Sequence, residues 1–245
     1  MLLEKIETFL DSSIKACQEV QDLLLSSRTS DDFDVKEIGE GGDQSLLIDI
    51  KAEKIFFDHF LPTFALYSEE YGAKGEGDFR IILDPIDGSD NLVSEFPYYG
   101  ASMALQFQEN TIAAVVCNLV NGALFFRKDG EQPLQMSLTN TRPFPLIKNI
   151  HAKVGIFEKS SLYTDIIDKL MINKLKFRSP GAVALSLVYA YSARYMIFIG
   201  NERIFDIEAG LFIVDELPMY RDGNVIIVTH DQILLQKLKA IVLGE

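Results

Sequence analysis

The chain of 245 residues predicts an α+β to α/β fold, with an antiparallel sheet in the first half and a mixed α/β layer in the second. Three observations predict it. Apolar residues at steps of three and four mark two helices near the start. Apolar runs at 101–107, 112–118 and 123–126, separated by the tight polar turns Glu109-Asn110 and Asn121-Gly122, mark an antiparallel meander. From residue 152 onward, apolar runs alternate with helical patterns, the order of a layered α/β unit.

Leu3, Ile6, Leu10, Ile14, Cys17, Val20 and Leu24 form one face of a long first helix, which ends in the polar cluster 26–30. A short strand at 33–38 leads into Gly39-Glu40-Gly41-Gly42-Asp43, a glycine-rich loop expected to be mobile. Ile48, Ala52, Ile55, Phe56 and Phe60 mark a second helix, closed by Pro62. The apolar run 64–67 delivers Ser68-Glu69-Glu70, and the run 80–83 delivers a turn at Asp84. A polar stretch with two prolines, 139–145, is the best internal boundary, dividing region 1–140 from region 141–245. Beyond it the expected order is strand 152–157, helix 161–172, strand 175–177, helix 182–191, strand 195–199, helix 206–216, strand 225–229 and helix 232–243. No internal repeat or low-complexity segment interrupts this order.

Lys and Arg number 23 against 36 Asp and Glu, a formal net charge of −13. A surface of that sign repels nucleic acid and anionic membranes, so neither is an expected partner. It also repels a phosphorylated substrate, so a phosphate site here needs cations that invert the local field. Cys17 and Cys117 read as separate, buried, reduced thiols. No Cys/His spacing suggests zinc, and His59, His151 and His230 are scattered. There is no basic segment followed by an apolar one at the start and no apolar stretch of membrane-spanning length, so a cytoplasmic location is expected.

The chemistry concentrates in Leu83-Asp84-Pro85-Ile86-Asp87-Gly88-Ser89. Pro85 fixes its own φ and biases Asp84 toward an extended conformation. Asp87 follows near enough to share an ion with Asp84. Gly88 and Ser89 open a short helical stretch, 89–94, whose first amides favour an anion such as phosphate. Asp-Pro and Asp-Gly also suit a solvated turn. Two further acidic clusters favour a site. Glu69 and Asp84 both end predicted strands, at a rim where sites form. Asp206 begins a helix whose next turn holds Ala209 and Gly210, small enough for close approach. Helix capping is the plain alternative for Asp206 and Asp49, and solvation for Glu70. Carboxylates converging on one rim repel unless cations neutralise them. Mg²⁺ suits an all-oxygen set, and two ions about 4 Å apart clamp an in-line attack at phosphorus.

Residues 84–91, Asp-Pro-Ile-Asp-Gly-Ser-Asp-Asn, resemble the D-P-[IL]-D-G-[TS]-x-N signature of the inositol monophosphatase family, within the lithium-sensitive, Mg²⁺-dependent sugar phosphatases. The likeness continues through Phe96-Pro97 and Ser102-Met103-Ala104. Ser68-Glu69-Glu70 resembles the upstream acidic motif. Residues 206–210 resemble the downstream D-x-A-[AG]-G motif, with Phe205 where Trp is usual. The resemblance implies a layered αβαβα sandwich, a homodimer, and a phosphomonoesterase that uses two or three Mg²⁺ ions. It implies that Glu69, Asp84 and the Ile86 carbonyl hold a first metal, and Asp84, Asp87 and Asp206 a second. Ser89, in place of Thr, would orient the attacking water with Asp49. The Gly88 and Ser89 amides, beside Asp87, would bind phosphate.

Residues 38–49 with Ala52-Glu53 look most like archaeal-type enzymes acting on inositol monophosphate and fructose 1,6-bisphosphate. Gln44-Ser45-Leu46 replaces their Thr-Pro-Thr element. Ile199 stands where inositol-specific members carry a Glu, and an apolar side chain cannot bond a sugar hydroxyl. Arg178 and Arg203 are candidates for a second phosphate, with a surface role as the plain alternative. Two other readings stand beside the leading one: a 3′-phosphoadenosine bisphosphate nucleotidase, disfavoured by Asn91, and a non-catalytic regulatory member of the fold.

Overall fold

Neighbouring residues of the central strands are apolar on both sides, so each sheet needs a cover on both faces. The computed structural model describes residues 2–26, 29–42 and 44–244 and shows how the chain meets that demand. Helix α1 (Leu2–Leu25) is followed by a hairpin of β1 (Val35–Ile38) and β2 (Gln44–Leu46), then α2 (Leu47–Phe60). Next come β3 (Ala65–Ser68), β4 (Gly72–Lys74), β5 (Phe79–Asp87) and the short α3 (Ser89–Val93). The meander is β6 (Gly100–Phe107), β7 (Asn110–Asn118) and β8 (Ala123–Lys128), extended by β9 (Leu134–Ser137) and β10 (Asn140–Pro145). The remainder is β11 (Val154–Glu158), α4 (Thr164–Ile172), β12 (Lys176–Arg178), α5 (Val183–Val188), β13 (Tyr195–Ile199), α6 (Ile204–Val214), β14 (Met219–Asp222), β15 (Val225–Thr229) and α7 (Gln232–Leu243).

These strands form an eight-stranded sheet, order β10-β9-β8-β7-β6-β5-β3-β4, and a five-stranded sheet, order β12-β11-β13-β15-β14. Strand periodicity sorts their side chains into three cores. Ile81, Leu83, Met103 and Val115 pack under α1 and α2. Ile82, Ala104 and Val116 face the other way, onto α5 and α6, which also cover Met196, Phe198 and Ile226 of the smaller sheet. Ile197, Ile199 and Ile227 face α4 and α7. The result is the expected αβαβα stack.

Several expectations change in detail. The stretch 139–145, expected as a connection, is largely edge strand β10. Two prolines there, Pro143 and Pro145, withhold ladder donors at an exposed edge. The β6–β7 turn is Gln108-Glu109, both at positive φ as a two-residue hairpin requires. Cys17 and Cys117 meet as free thiols in the α1–β7 core, within hydrogen-bonding reach, and burial pushes the Cys17 pKa up. Ser27, Arg28 and Asp43, in two predicted polar segments, lie outside the described residues. No described helix is long and apolar enough to cross a membrane.

Candidate active site

β3 and β5 are parallel neighbours whose register pairs Ser68 with Leu83. Glu69, just past the end of β3, and Asp84, the next residue of β5, are therefore brought side by side. The Glu69 amide donates to the Leu83 carbonyl at 3.0 Å, fixing this placement. From α2, Glu53 accepts from the Ser68 hydroxyl and, at 2.9 Å, from the Tyr71 amide, so the acidic turn is held from both ends. The glycine-rich hairpin tip lies on the same turn, with the Gly41 amide donating to the Glu69 carbonyl at 2.9 Å.

The expected turn at Asp84 is instead a continuation of β5. Asp84 pairs with Ser102 and Asp87 with Gly100, so one extra residue is accommodated as a bulge. Pro85 has no donor to lose there. Asp84 Oδ1 accepts from the Ile86 amide at 2.9 Å, which fixes the carboxylate against its own strand. Gly88 then sits at φ 91°, and a Cβ on it would lie 3.0 Å from Ala182 Cβ. Gly88→Ala is expected to cost about 1–3 kcal/mol of stability, measured by urea unfolding, because the left-handed backbone and the contact both resist a methyl group.

Asp206 is the third residue of α6. The small residues after it serve packing: a Cβ on Gly210 would fall 2.7 Å from Leu187 Cβ, so α5 and α6 touch closely. This seats α6 with Asp206 over the end of β5. Carboxylate oxygens of Glu69, Asp84 and Asp206 lie within 4.8 Å of one another. They line a cavity of about 540 Å³ whose wall also includes Ile86, Asp87, Gly88 and Ser89.

Asp87 is not in that converging set. Its two oxygens accept from the Val183 and Leu185 amides, at 2.9 and 3.2 Å, so it caps α5 from another sheet. Asp87 thus positions α5, and its carboxylate also borders the cavity beside Asp84 and Asp206. Asp49 is a helix cap, as the plain alternative had it, and it keeps a second oxygen free of that duty. One oxygen accepts from the Leu46 amide at 3.1 Å, a helix cap, while Oδ1 is buried with no hydrogen-bond partner.

Arg203 is not a solvent-facing arginine. Its Nε and Nη2 donate to the two oxygens of Asp206, each at 2.9 Å, and Nη1 donates to Glu69 Oε1 at 2.7 Å. Arg178 is exposed, donates to the adjacent Phe177 carbonyl, and lines a separate apolar groove with Phe96 and Tyr189. The phosphate contact expected of Arg178 has no support in that placement. Ile199 is buried in the core beneath α4 and α7, away from the cavity wall.

Charge crowding is visible in the acids. Burial, then the charges of Glu69, Asp87 and Asp206, raises the Asp84 pKa well above the usual range. Burial and the Asp206 charge do the same to Asp87, against the two helix amides. Asp49 is pushed up to about 8 by burial, then by Glu70. Three converging carboxylates are an all-oxygen donor set for a hard divalent cation, and no soft ligand contributes.

Sequence reasoning missed Glu158 and Lys159, and it named Asn91 without its structural task. Glu158 ends the apolar strand β11, is buried in the cavity wall, and accepts from the Ser186 hydroxyl and the Gly181 amide. An acid closing an apolar run is the signal that singled out Glu69 and Asp84, and it applied here too. Lys159, next in the chain, brings a cation to the same wall. Asn91 donates to the carbonyls of Tyr98 and Pro180, both at 2.7 Å, and so ties the phosphate-loop candidate to the second half.

The sequence matches the profile of the inositol monophosphatase family over residues 5–237. It is 26% identical over 221 residues to the Nus factor SuhB of Escherichia coli (strain K12), covering 84% of this chain and 82% of that protein. It is 26% identical over 211 residues to a fructose-1,6-bisphosphatase/inositol-1-monophosphatase of Methanothermobacter thermautotrophicus, covering 77% and 74%. The crystal structure of the extragenic suppressor protein suhB from Bartonella henselae superposes with a TM-score of 0.76 at 23% identity, over 96% of this chain and 97% of that one. That last likeness is one of fold.

Proposed function

The chain belongs to the inositol monophosphatase family, and from that premise we propose that it is a divalent-metal-dependent phosphomonoesterase acting on a small polyol or sugar phosphate. One observation carries the reading: three carboxylates from separate segments converge within 4.8 Å on a cavity large enough for such a substrate. Glu69, Asp84, Asp206 and the Ile86 carbonyl would hold the metal, with Asp87 available to a second ion and Mg²⁺ the ion that best suits their chemistry. When bound, it supplies Lewis acidity toward the phosphate and a more acidic water.

The protein's own groups do the remainder. The Gly88 and Ser89 amides, at the start of α3, take phosphate oxygens. Asp49 offers its unpartnered oxygen as acceptor for a water proton, and the Ser89 hydroxyl orients that water. Asp87 acts through α5, keeping the wall that faces the phosphate in place. Glu158 and Lys159 face the side of the cavity that would hold the sugar or polyol.

The test is phosphate release from inositol 1-phosphate, fructose 1,6-bisphosphate and 3′-phosphoadenosine 5′-phosphate, with Mg²⁺, with chelator, and with Mg²⁺ plus Li⁺. Turnover on one of the first two that disappears with chelator and falls with Li⁺ is the expected result. Preference for the nucleotide would move the protein to the nucleotidase reading. Absence of Mg²⁺-dependent turnover on all three would leave a regulatory role, which the name of the Escherichia coli relative keeps in view as the second reading.

A further inference from the structure

Glu69 and Asp206 come from opposite halves of the chain, yet one guanidinium joins them. Arg203 engages both oxygens of Asp206 and Oε1 of Glu69 at 2.7–2.9 Å. These belong to two of the three carboxylates on which a divalent ion would draw. A divalent cation held by the same carboxylates would draw on oxygens that the guanidinium already engages, and so would stand close to it. At close range in a half-buried site the two positive charges repel strongly. The Arg203 side chain is about a quarter exposed and lines the cavity, so there is space beside it into which it can turn.

We infer that Arg203 is a tethered counter-cation that competes with the divalent ion for Glu69 and Asp206 and swings into the cavity when the ion binds. The inference rests on the metal-dependent reading above and adds a cost to metal loading. Without the ion, Arg203 offsets the repulsion between the converging acids. With the ion bound, the released guanidinium becomes a mobile donor above the phosphate, matched in planar fork geometry to phosphate oxygens. The same side chain then guards the site in one state and receives substrate in the other.

Calorimetric titration of Mg²⁺ into full-length protein, without substrate, tests this. Arg203→Gln is expected to tighten Mg²⁺ binding at least about tenfold, because a competing charge is removed. Arg203→Lys, which keeps the charge but loses the fork, is expected to fall between. The ion-free Gln variant is expected to melt lower than wild type, and Mg²⁺ to raise its melting temperature by more. Should the Gln variant fold poorly, ¹⁵N resonances of the wild-type Arg203 guanidinium are followed instead, and they are expected to shift as Mg²⁺ saturates. Unchanged or weaker Mg²⁺ binding in Arg203→Gln, or a guanidinium signal that does not move at saturation, overturns the competition while leaving the metal site standing. Failure of wild type to bind Mg²⁺ at millimolar concentration overturns the metal reading itself.

Discussion

Asp84→Asn is expected to lower Mg²⁺-dependent phosphate release by about a thousandfold or more, equivalent to about 4 kcal/mol of barrier. The magnitude follows from position. Asp84 belongs to the converging cluster with Glu69 and Asp206, and its other duty is local: Oδ1 accepts from the Ile86 amide. Asn keeps the shape and one oxygen for that amide but lacks the charge that binds a divalent cation. Ion-free stability should move the other way. Asp84 carries a pKa raised by burial and by three neighbouring acids, so its charge is unwelcome in the folded protein. The variant should therefore unfold at an equal or higher urea concentration than wild type when chelator is present. Turnover within tenfold of wild type would remove Asp84 from the reaction, and a large loss of ion-free stability would mean that the substitution had damaged the fold.

Raising the pH from about 5.5 to 8 is expected to destabilise the ion-free protein, opposite to the usual gain of carboxylates held by cations. The sign comes from Asp49, whose pKa is 3.8 when unhindered and about 8 in the folded chain. Between those values the folded state keeps a proton that the unfolded state has lost. Its contribution is complete below about pH 4, declines as pH rises, and is gone above about 8. A shift of that size corresponds to a few kcal/mol, with Asp84 and Asp87 adding in the same direction. Melting temperatures in chelator should fall across the interval, Asp49→Asn should flatten the profile, and Mg²⁺ should raise the melting temperature more at pH 8 than at pH 5.5. A flat wild-type profile would show that Asp49 ionises in the folded protein as freely as in water.

Glu69 and Asp84 were readable because each closes an apolar run, and the parallel pairing of β3 with β5 makes them neighbours. Asp206 was readable as a helix-start acid, but its meeting with them depends on α6 packing against α5 and the large sheet, which no local pattern encodes. The task of Asp87 was hidden for a related reason. Its partners, the Val183 and Leu185 amides, lie 96 and 98 residues away, and nothing near either segment announces the other. Arg203 looked like a surface residue because a single arginine before a helix usually is one. Only convergence of the acids gives it another destination. The edge strand β10 was missed because its two prolines read as punctuation, although at a sheet edge they do no harm. Fold class survived these misses, since it rests on long periodic runs whose burial on both faces was forced.

The two helices held between the sheets have a further consequence. α5 and α6 owe their apolar surroundings to both sheets at once. α5 is capped by an acid from the larger sheet, and α6 delivers Asp206 back to that sheet's rim. Neither half of the gene therefore encodes a transplantable module. Recombination between relatives near residue 145 would have to preserve the shape of a shared middle layer as well as the ligands, so the reaction centre is inherited as one unit or lost as one.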